Sequence, residues 1–249
     1  MNYYKRVAKQ LPIKFNMPGK ISILSTRPLE TALLEAAKAK DVHVDIISFI
    51  DTTPAITTGI KEEVGKVLKQ PAHVVFTSMN AVTTVAGYMN GHVPNWNIYC
   101  IGNTTRQLAA RYFGEHSISA TGSNASDLAD KIITRKDVKQ VVFFCGDQRR
   151  QELPGKLRQH SIPVQEVIVY HTITTPHKID KAYDGILFFS PSAVQSFFYA
   201  NAVPPDTVLF AIGQTTADAI APFTDNTVIV SDRPGKDELV KKVFQFFKK

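Results

Sequence analysis

Two short patterns each occur twice in this chain, in the same order and with nearly the same offset. Phe76-Thr77-Ser78-Met79-Asn80-Ala81-Val82 returns as Phe188-Phe189-Ser190-Pro191-Ser192-Ala193-Val194. Ile101-Gly102-Asn103-Thr104-Thr105 returns as Ile212-Gly213-Gln214-Thr215-Thr216. Ser126-Asp127-Leu128 returns more loosely as Asp237-Glu238-Leu239, again with that offset. Within one copy the patterns are spaced by the length of one strand plus one helix. A chain duplicated in this way is expected to fold as two related series of β-turn-α units. Its 249 residues suit two domains of roughly 100–150 residues each.

The hydropathy pattern agrees. Short apolar runs at 21–25, 44–49, 74–77, 98–101, 141–145, 167–171, 186–189, 209–212 and 228–230 alternate with stretches of helical period. Val82, Val85, Ala86 and Met89 fall at i, i+3, i+4, i+7, and so do Val240, Val243, Phe244 and Phe247. Most of the runs are continuous rather than alternating, as in strands covered on both faces by helices. The expected class is α/β with parallel sheets. None of the runs approaches the roughly 18–20 apolar residues of a membrane span. With 44% hydrophobic and 20% charged residues, a disordered chain, a coiled coil and a disulfide miniprotein are excluded. Cys100 and Cys145 make neither a disulfide framework nor a metal quartet, so a reduced, cytoplasmic protein is expected.

The net charge of +7 invites a nucleic-acid partner until it is located. Residues 1–20 carry +5 and residues 236–249 carry +3, which leaves about −1 on residues 21–235. The excess sits at the two ends, not on a folded basic face, so no nucleic-acid partner is expected. The basic N-terminal stretch lacks the apolar run of a secretory signal and reads as a frayed leader before the first strand.

Each repeated pattern sits where a strand ends and a helix begins. In open α/β sheets, ligands bind outside the carboxyl ends of the strands, where free N–H groups and the helix dipole favour anions. Ser78, Thr104, Thr105, Ser190, Ser192, Thr215 and Thr216 are hydroxyl residues at these turns, while Gly102 and Gly213 let the backbone approach a ligand. Any one of them is an ordinary helix cap. The same arrangement in both copies points to a shared ligand face. No dinucleotide or phosphate-loop glycine motif is present, and the seven histidines show no metal spacing. Cys145 before Gly146 stands where a nucleophile can sit, but reads better as a buried strand cysteine. The chain thus offers many anion-holding groups and few strong acid–base groups. Two readings follow: an enzyme that orients a polyanion, or a non-catalytic two-domain module that binds a small anionic metabolite.

The ordered set Phe-x-Ser-x-x-Ala-Val and Ile-Gly-x-Thr-Thr, each paired, resembles the uroporphyrinogen-III synthase family. So does Cys145-Gly146-Asp147-Gln148-Arg149-Arg150-Gln151-Glu152-Leu153-Pro154, followed by a strand ending Val167-Ile168-Val169-Tyr170-His171-Thr172. The similarity runs from about residue 21 to 245. It implies a lyase that needs no cofactor or metal, acting as a monomer on linear hydroxymethylbilane. It also implies two flavodoxin-like parallel-sheet domains joined by a two-stranded connection, with a cleft between them. Duplication alone suggests halves at about 21–130 and 141–245; the resemblance instead implies one domain of 1–48 with 173–249 and another of 51–170, the chain crossing near 48–51 and 171–172. By the same resemblance Tyr170 is the expected catalytic residue, a proton donor to the departing hydroxyl. Expected substrate contacts are Ser78, Asn80, Gly102, Thr104, Thr105, Gly122, Ser123, Gly146, Arg150, Ser190, Ser192, Gly213, Thr215 and Thr216. For Arg150 a carboxylate clamp and a structural ion pair stand equal. Gln151 stands where the family commonly has glutamate, and Asn80 where some members have arginine, which moves recognition toward backbone donors.

Overall fold

The computed structural model describes residues 20–89, 91, 93–233 and 235–247. The expectation of a frayed basic leader falls on residues that, but for Lys20, lie outside this range. The described chain divides into two units. One holds the described residues up to Asp51 together with those from Ile173 onward, and the other is Thr52–Thr172.

In the first unit, β1 (Ile21–Ser25), α1 (Thr31–Lys38) and β2 (Val42–Ile46) come first along the chain. After the second unit the chain continues with β9 (Gly185–Phe188), α7 (Pro191–Ala200), β10 (Val208–Ala211), α8 (Gln214–Ile220), β11 (Val228–Val230) and α9 (Lys236–Phe247). The sheet order is β11-β10-β9-β1-β2, every pair parallel. That is the flavodoxin-like order, with its topological switch between β1 and β9. β9 and β10 are buried along their whole length, as their unbroken apolar sequences require. One face packs Phe188 and Leu209 against Val194, Phe197 and Ile220 of α7 and α8. The other packs Ile23 and Phe210 against Ala37 of α1 and Leu239, Val240 and Val243 of α9.

The second unit contains α2 (Thr58–Leu68), β4 (Ala72–Phe76), α3 (Met79–Ala86), β5 (Trp96–Ile101), α4 (Asn103–Phe113), β6 (Ile118–Gly122), α5 (Ala125–Ile133), β7 (Val141–Gly146) and α6 (Glu152–Gln159). Two further strands, β3 (Ile50–Pro54) and β8 (Val164–Thr174), carry the chain from one unit to the other. The sheet order is β3-β8-β7-β4-β5-β6. From β8 to β6 the pairs are parallel, with Phe76 opposite both Cys100 and Phe144. Phe76 stacks between Phe113 and Phe144, with ring centroids 5.6 Å away on each side. α2, α3 and α4 cover this face, and α5 and α6 cover the other around Tyr99, Phe143 and Leu157.

The nine expected strands are all present, most displaced by a residue or two. β2 ends at Ile46, and Phe49, expected within it, instead turns out of the strand and is fully buried. Two strands have no apolar run to announce them. β6 reads Ile-Ser-Ala-Thr-Gly and β3 reads Ile-Asp-Thr-Thr-Pro, and both are edge strands, where polar residues and a terminal proline are tolerated. α3 stops at Ala86 with Gly87 as its cap, so Met89 packs on the core from beyond the helix. Among the described residues no helix is long and apolar enough to cross a membrane.

Candidate active site at the carboxyl edges of the sheets

Because all strands of the first unit, and β4 to β8 of the second, are parallel, the turns from these strands into their helices lie along one sheet edge of each unit. In the second unit this edge gathers Ser78, Gly102, Gly122 and Gly146, at the ends of β4, β5, β6 and β7, together with Tyr170, where β8 stops pairing with β7. In the first unit it gathers Ser190 and Gly213 beyond β9 and β10. Within each unit these turns share an edge, but the individual residues are used differently.

Ser78 and Ser190 cap α3 and α7 in the same way. Each hydroxyl accepts an N–H three residues on, from Ala81 and Ala193, at 3.2 Å. Ser190 also lies 3.2 Å from the hydroxyl of Ser192, which is buried. Asn80, the counterpart of Ser192, is exposed on the first turn of α3. Gly102 and Gly213 precede α4 and α8, and neither helix has a side-chain cap. Among the described residues no side chain accepts from the first-turn amides there. Gly102 adopts φ 75°, where a side chain is strained, whereas Gly213 is fully extended at φ −178° and does not need to be glycine. Space is open beside both. Thr104 and Thr215 are exposed, while Thr105 and Thr216 are buried at 5% and 1% exposure. The helical turn therefore sends one threonine of each pair outward and the other into its own unit.

Gly122 and Ser123 have a packing role instead. A Cβ on Gly122 would lie 2.6 Å from the Cβ of Leu128, so glycine there lets α5 sit on its strand. The N–H and hydroxyl of Ser123 both donate to Asp127, at 2.7 and 3.0 Å. These donations hold the Asp127 carboxyl below the usual carboxylate range. A carboxylate already occupies this helix terminus, and a second anion would be repelled from it. α9 likewise starts with Asp237 and Glu238. The third repeated pattern thus places a carboxylate at the helix terminus in both copies, and in the first copy that carboxylate accepts from the residues before the helix.

Tyr170 is seated by a slip of register. Between β7 and β8 the register slips: Cys145 pairs with Ile168, but Gly146 pairs with Tyr170. Val169 is the extra residue of a bulge, and it is fully buried on the α3 face. Strict alternation would put Tyr170 opposite Val169, yet Tyr170 packs against the same cluster. The bulge re-aims it. Its ring then lies on Gly146, where a Cβ would come within 2.5 Å of two ring carbons. Its phenol oxygen accepts the hydroxyl proton of Ser78 at 3.1 Å.

Of the two adjacent arginines, Arg149 is engaged: with Arg158 it pairs with Glu166, at 2.5 Å in both cases. Burial works against the Glu166 charge, but the two guanidiniums hold its carboxyl below the ordinary range. Arg150 is exposed and makes no ion pair among the described residues, which leaves its fork open to a carboxylate. Cys145 is buried, with its thiol pushed up to about 12 by burial, so it is no nucleophile. No cluster of histidine, cysteine or acidic residues able to hold a metal occurs among the described residues.

Sequence reasoning missed Asp147, whose carboxylate touches the chain beside Tyr170. It stands inside the quoted Cys-Gly run, but a search for anion-holding groups passes over an acid. Two cavities lie elsewhere. One of about 360 Å³, lined by Lys178, Tyr183, Phe197, Asn201 and Thr207, opens at the amino-terminal edge of the first unit's sheet. One of about 530 Å³ lies between the start of α2 and the second half of α3, lined by Ile56, Lys61 and Tyr88. No expected site residue lines either.

The solved uroporphyrinogen-III synthetase of Helicobacter pylori is similar to this chain with a TM-score of 0.65 at 13% identity, covering 91% of this chain and 99% of that one. A mutant uroporphyrinogen III synthase from Thermus thermophilus is similar with a TM-score of 0.54 at 14% identity, covering 91% and 98%. At such identities the likeness speaks for the fold. The family model for uroporphyrinogen-III synthase HemD matches residues 31–241, which spans both units and every element of the two sheet edges except β1. On that match the chain belongs to the uroporphyrinogen-III synthase family.

Proposed function

We propose that Tyr170 is the proton donor of the family's reaction in this chain, and that the amides and hydroxyls of the two sheet edges hold the substrate. The reaction closes linear hydroxymethylbilane to uroporphyrinogen III, with loss of water and inversion of the last pyrrole, ring D, a lyase step of haem biosynthesis. In the scheme proposed here, the Tyr170 phenol gives its proton to the ring A hydroxyl, which leaves as water. The resulting azafulvene is attacked by the substituted carbon of ring D, and the spiro intermediate breaks and recloses. The pyrrole carbon that closes the ring sheds its proton, which returns to the phenolate. One water is lost and the enzyme is restored.

The observation that carries this reading is the chain of hydrogen bonds from the first turn of α3. Ala81 N–H donates to Ser78, and Ser78 donates to the phenol oxygen. With its oxygen already accepting, the phenol has its own proton free to donate. As the phenolate forms, the Ser78 bond and the positive end of α3 strengthen their hold on it, so the stabilisation is greatest where charge develops.

Substrate binding rests on donors, because hydroxymethylbilane carries eight carboxylates. Asn80, Gly102, Thr104 and Arg150 are the proposed contacts from the second unit, with Ser78 and Gly146 seating Tyr170 beside them. Ser190, Ser192, Gly213 and Thr215 are those from the first, with Thr105 and Thr216 supporting the turns from within. Binding in this way needs no basic fold body, since oriented N–H groups hold anions without full charge.

The test uses hydroxymethylbilane made in situ and product isomers separated by chromatography. The parent protein is expected to yield the type III isomer; type I alone, the product of spontaneous closure, overturns the catalytic reading. Tyr170→Phe is expected to lower kcat by on the order of 10²-fold without unfolding the protein. An unchanged rate removes Tyr170 from the mechanism.

A further inference from the structure

The bulge that aims Tyr170 also weakens its footing. Tyr170 is the last residue of β8 paired with β7, and the ladder slips at that pair. Beyond it β8 keeps β3 along one side, between the bond from Ala55 N–H to the Val169 carbonyl at 2.9 Å and that from Thr175 N–H to the Phe49 carbonyl at 3.0 Å, but its β7 side, where the ring lies on Gly146, needs another anchor.

Asp147 supplies that anchor. Its own N–H donates to the carbonyl of Tyr170 at 3.2 Å. Its Oδ1 accepts the N–H of Thr172 at 2.9 Å, and its Oδ2 lies 3.4 Å from Nδ1 of His171. One residue thus grips three successive positions of β8, from the carbonyl of Tyr170 to the amide of Thr172. The side chain stands in for the strand partner that β7 no longer provides. Partial burial works to raise the Asp147 carboxyl, but the Thr172 amide and His171 outweigh it and hold it below the usual range. A charged acceptor makes the stronger bond to a main-chain amide. A carboxylate is also a poor ligand for a substrate with eight carboxylates, so its value at this edge lies in what it holds in place.

We propose that Asp147 is a positioning residue for the cyclisation: by pinning residues 170–172 to the end of β7, it sets the height of the Tyr170 phenol over Gly146 and against Ser78. The inference rests on the reading of Tyr170 as proton donor.

A double-mutant cycle on the full chain tests it, with kcat and KM measured on hydroxymethylbilane and folding checked by circular dichroism and thermal midpoint. Asp147→Ala is expected to cut kcat by about 10-fold or more with KM little changed, because a misplacement of about 1 Å can cost 10²-fold. Asp147→Asn keeps an acceptor for Thr172 and a donor for His171, and is expected to restore most of the rate. In the Tyr170→Phe background, Asp147→Ala is expected to change kcat by less than about 2-fold, since residues acting as one unit are not additive. An equal fall in both backgrounds makes Asp147 a structural residue and overturns the inference, as does an Asp147→Ala enzyme as fast as the parent. Either result leaves Tyr170 standing, provided that Tyr170→Phe is slow. A fast Tyr170→Phe enzyme instead removes both readings together.

Discussion

Gly102 and Gly213 hold the same place in the duplicated pattern but not the same backbone. Gly102, at φ 75° and ψ 156°, lies in a region open only to glycine, whereas Gly213 is extended. Neither has a neighbour that a new methyl would strike. Substitution therefore isolates the backbone term. Gly102→Ala is expected to cost about 1–3 kcal/mol in urea denaturation. Gly213→Ala is expected to shift stability by less than about 1 kcal/mol. Equal losses would show that the φ angle is not what makes glycine necessary at 102. The same scale separates the threonines: the second of each pair is buried, and only the first presents its hydroxyl at the edge. Gly146 is a third case, where glycine is required by the ring of Tyr170 lying against it and not by φ.

Elements carry the asymmetry between the two copies. α3 and α7 share a serine cap, but only the cap of α3 also holds a phenol. Ser78→Ala and Ser190→Ala are each expected to lose about 1 kcal/mol of stability with the lost cap. The Ser78 variant is expected to show the larger fall in kcat, because it also strips Tyr170 of its partner. Equal kinetic effects would argue against the relay from α3. α4 runs for 11 residues and α8 for only 7, so the second copy offers the weaker helix terminus to an anion. The bulge at Val169 is likewise an element-scale device. It turns a strand residue that would face α5 and α6 toward α3 instead.

Across the molecule the two units use one spatial plan with two chain orders. β2-β1-β9-β10-β11 in the first corresponds strand for strand to β8-β7-β4-β5-β6 in the second. The βαβ segment β1-α1-β2 comes first in its unit, whereas β7-α6-β8, in the matching place, comes last. The repeated patterns therefore cover β4 to α5 against β9 to α9 and stop where the permutation begins. Since the second unit is continuous and has core clusters of its own on both sheet faces, residues 52–172 expressed alone are expected to fold. A single cooperative urea transition, with stability in the range of about 5–15 kcal/mol, is the expected result. A fragment without a transition would show that this core is insufficient by itself.

Local physics made much of this legible before any coordinates. A continuous apolar run has one good place in a folded chain, a strand covered on both sides. A Ser or Thr after such a run has one good place too, the start of the next helix. Hence the apolar strands, the caps at Ser78 and Ser190, the parallel class and the gathering of the parallel strands' turns on one edge of each unit follow from sequence. The edge strands β3 and β6 do not, because an edge asks for no apolar run. Nor do the bulge at Val169, the seating of Tyr170 on Gly146, the pairing of Arg149 in place of Arg150, or the grip of Asp147 on β8. Each depends on a partner far away along the chain or on a slip of register, and neither leaves a local mark on the residues concerned.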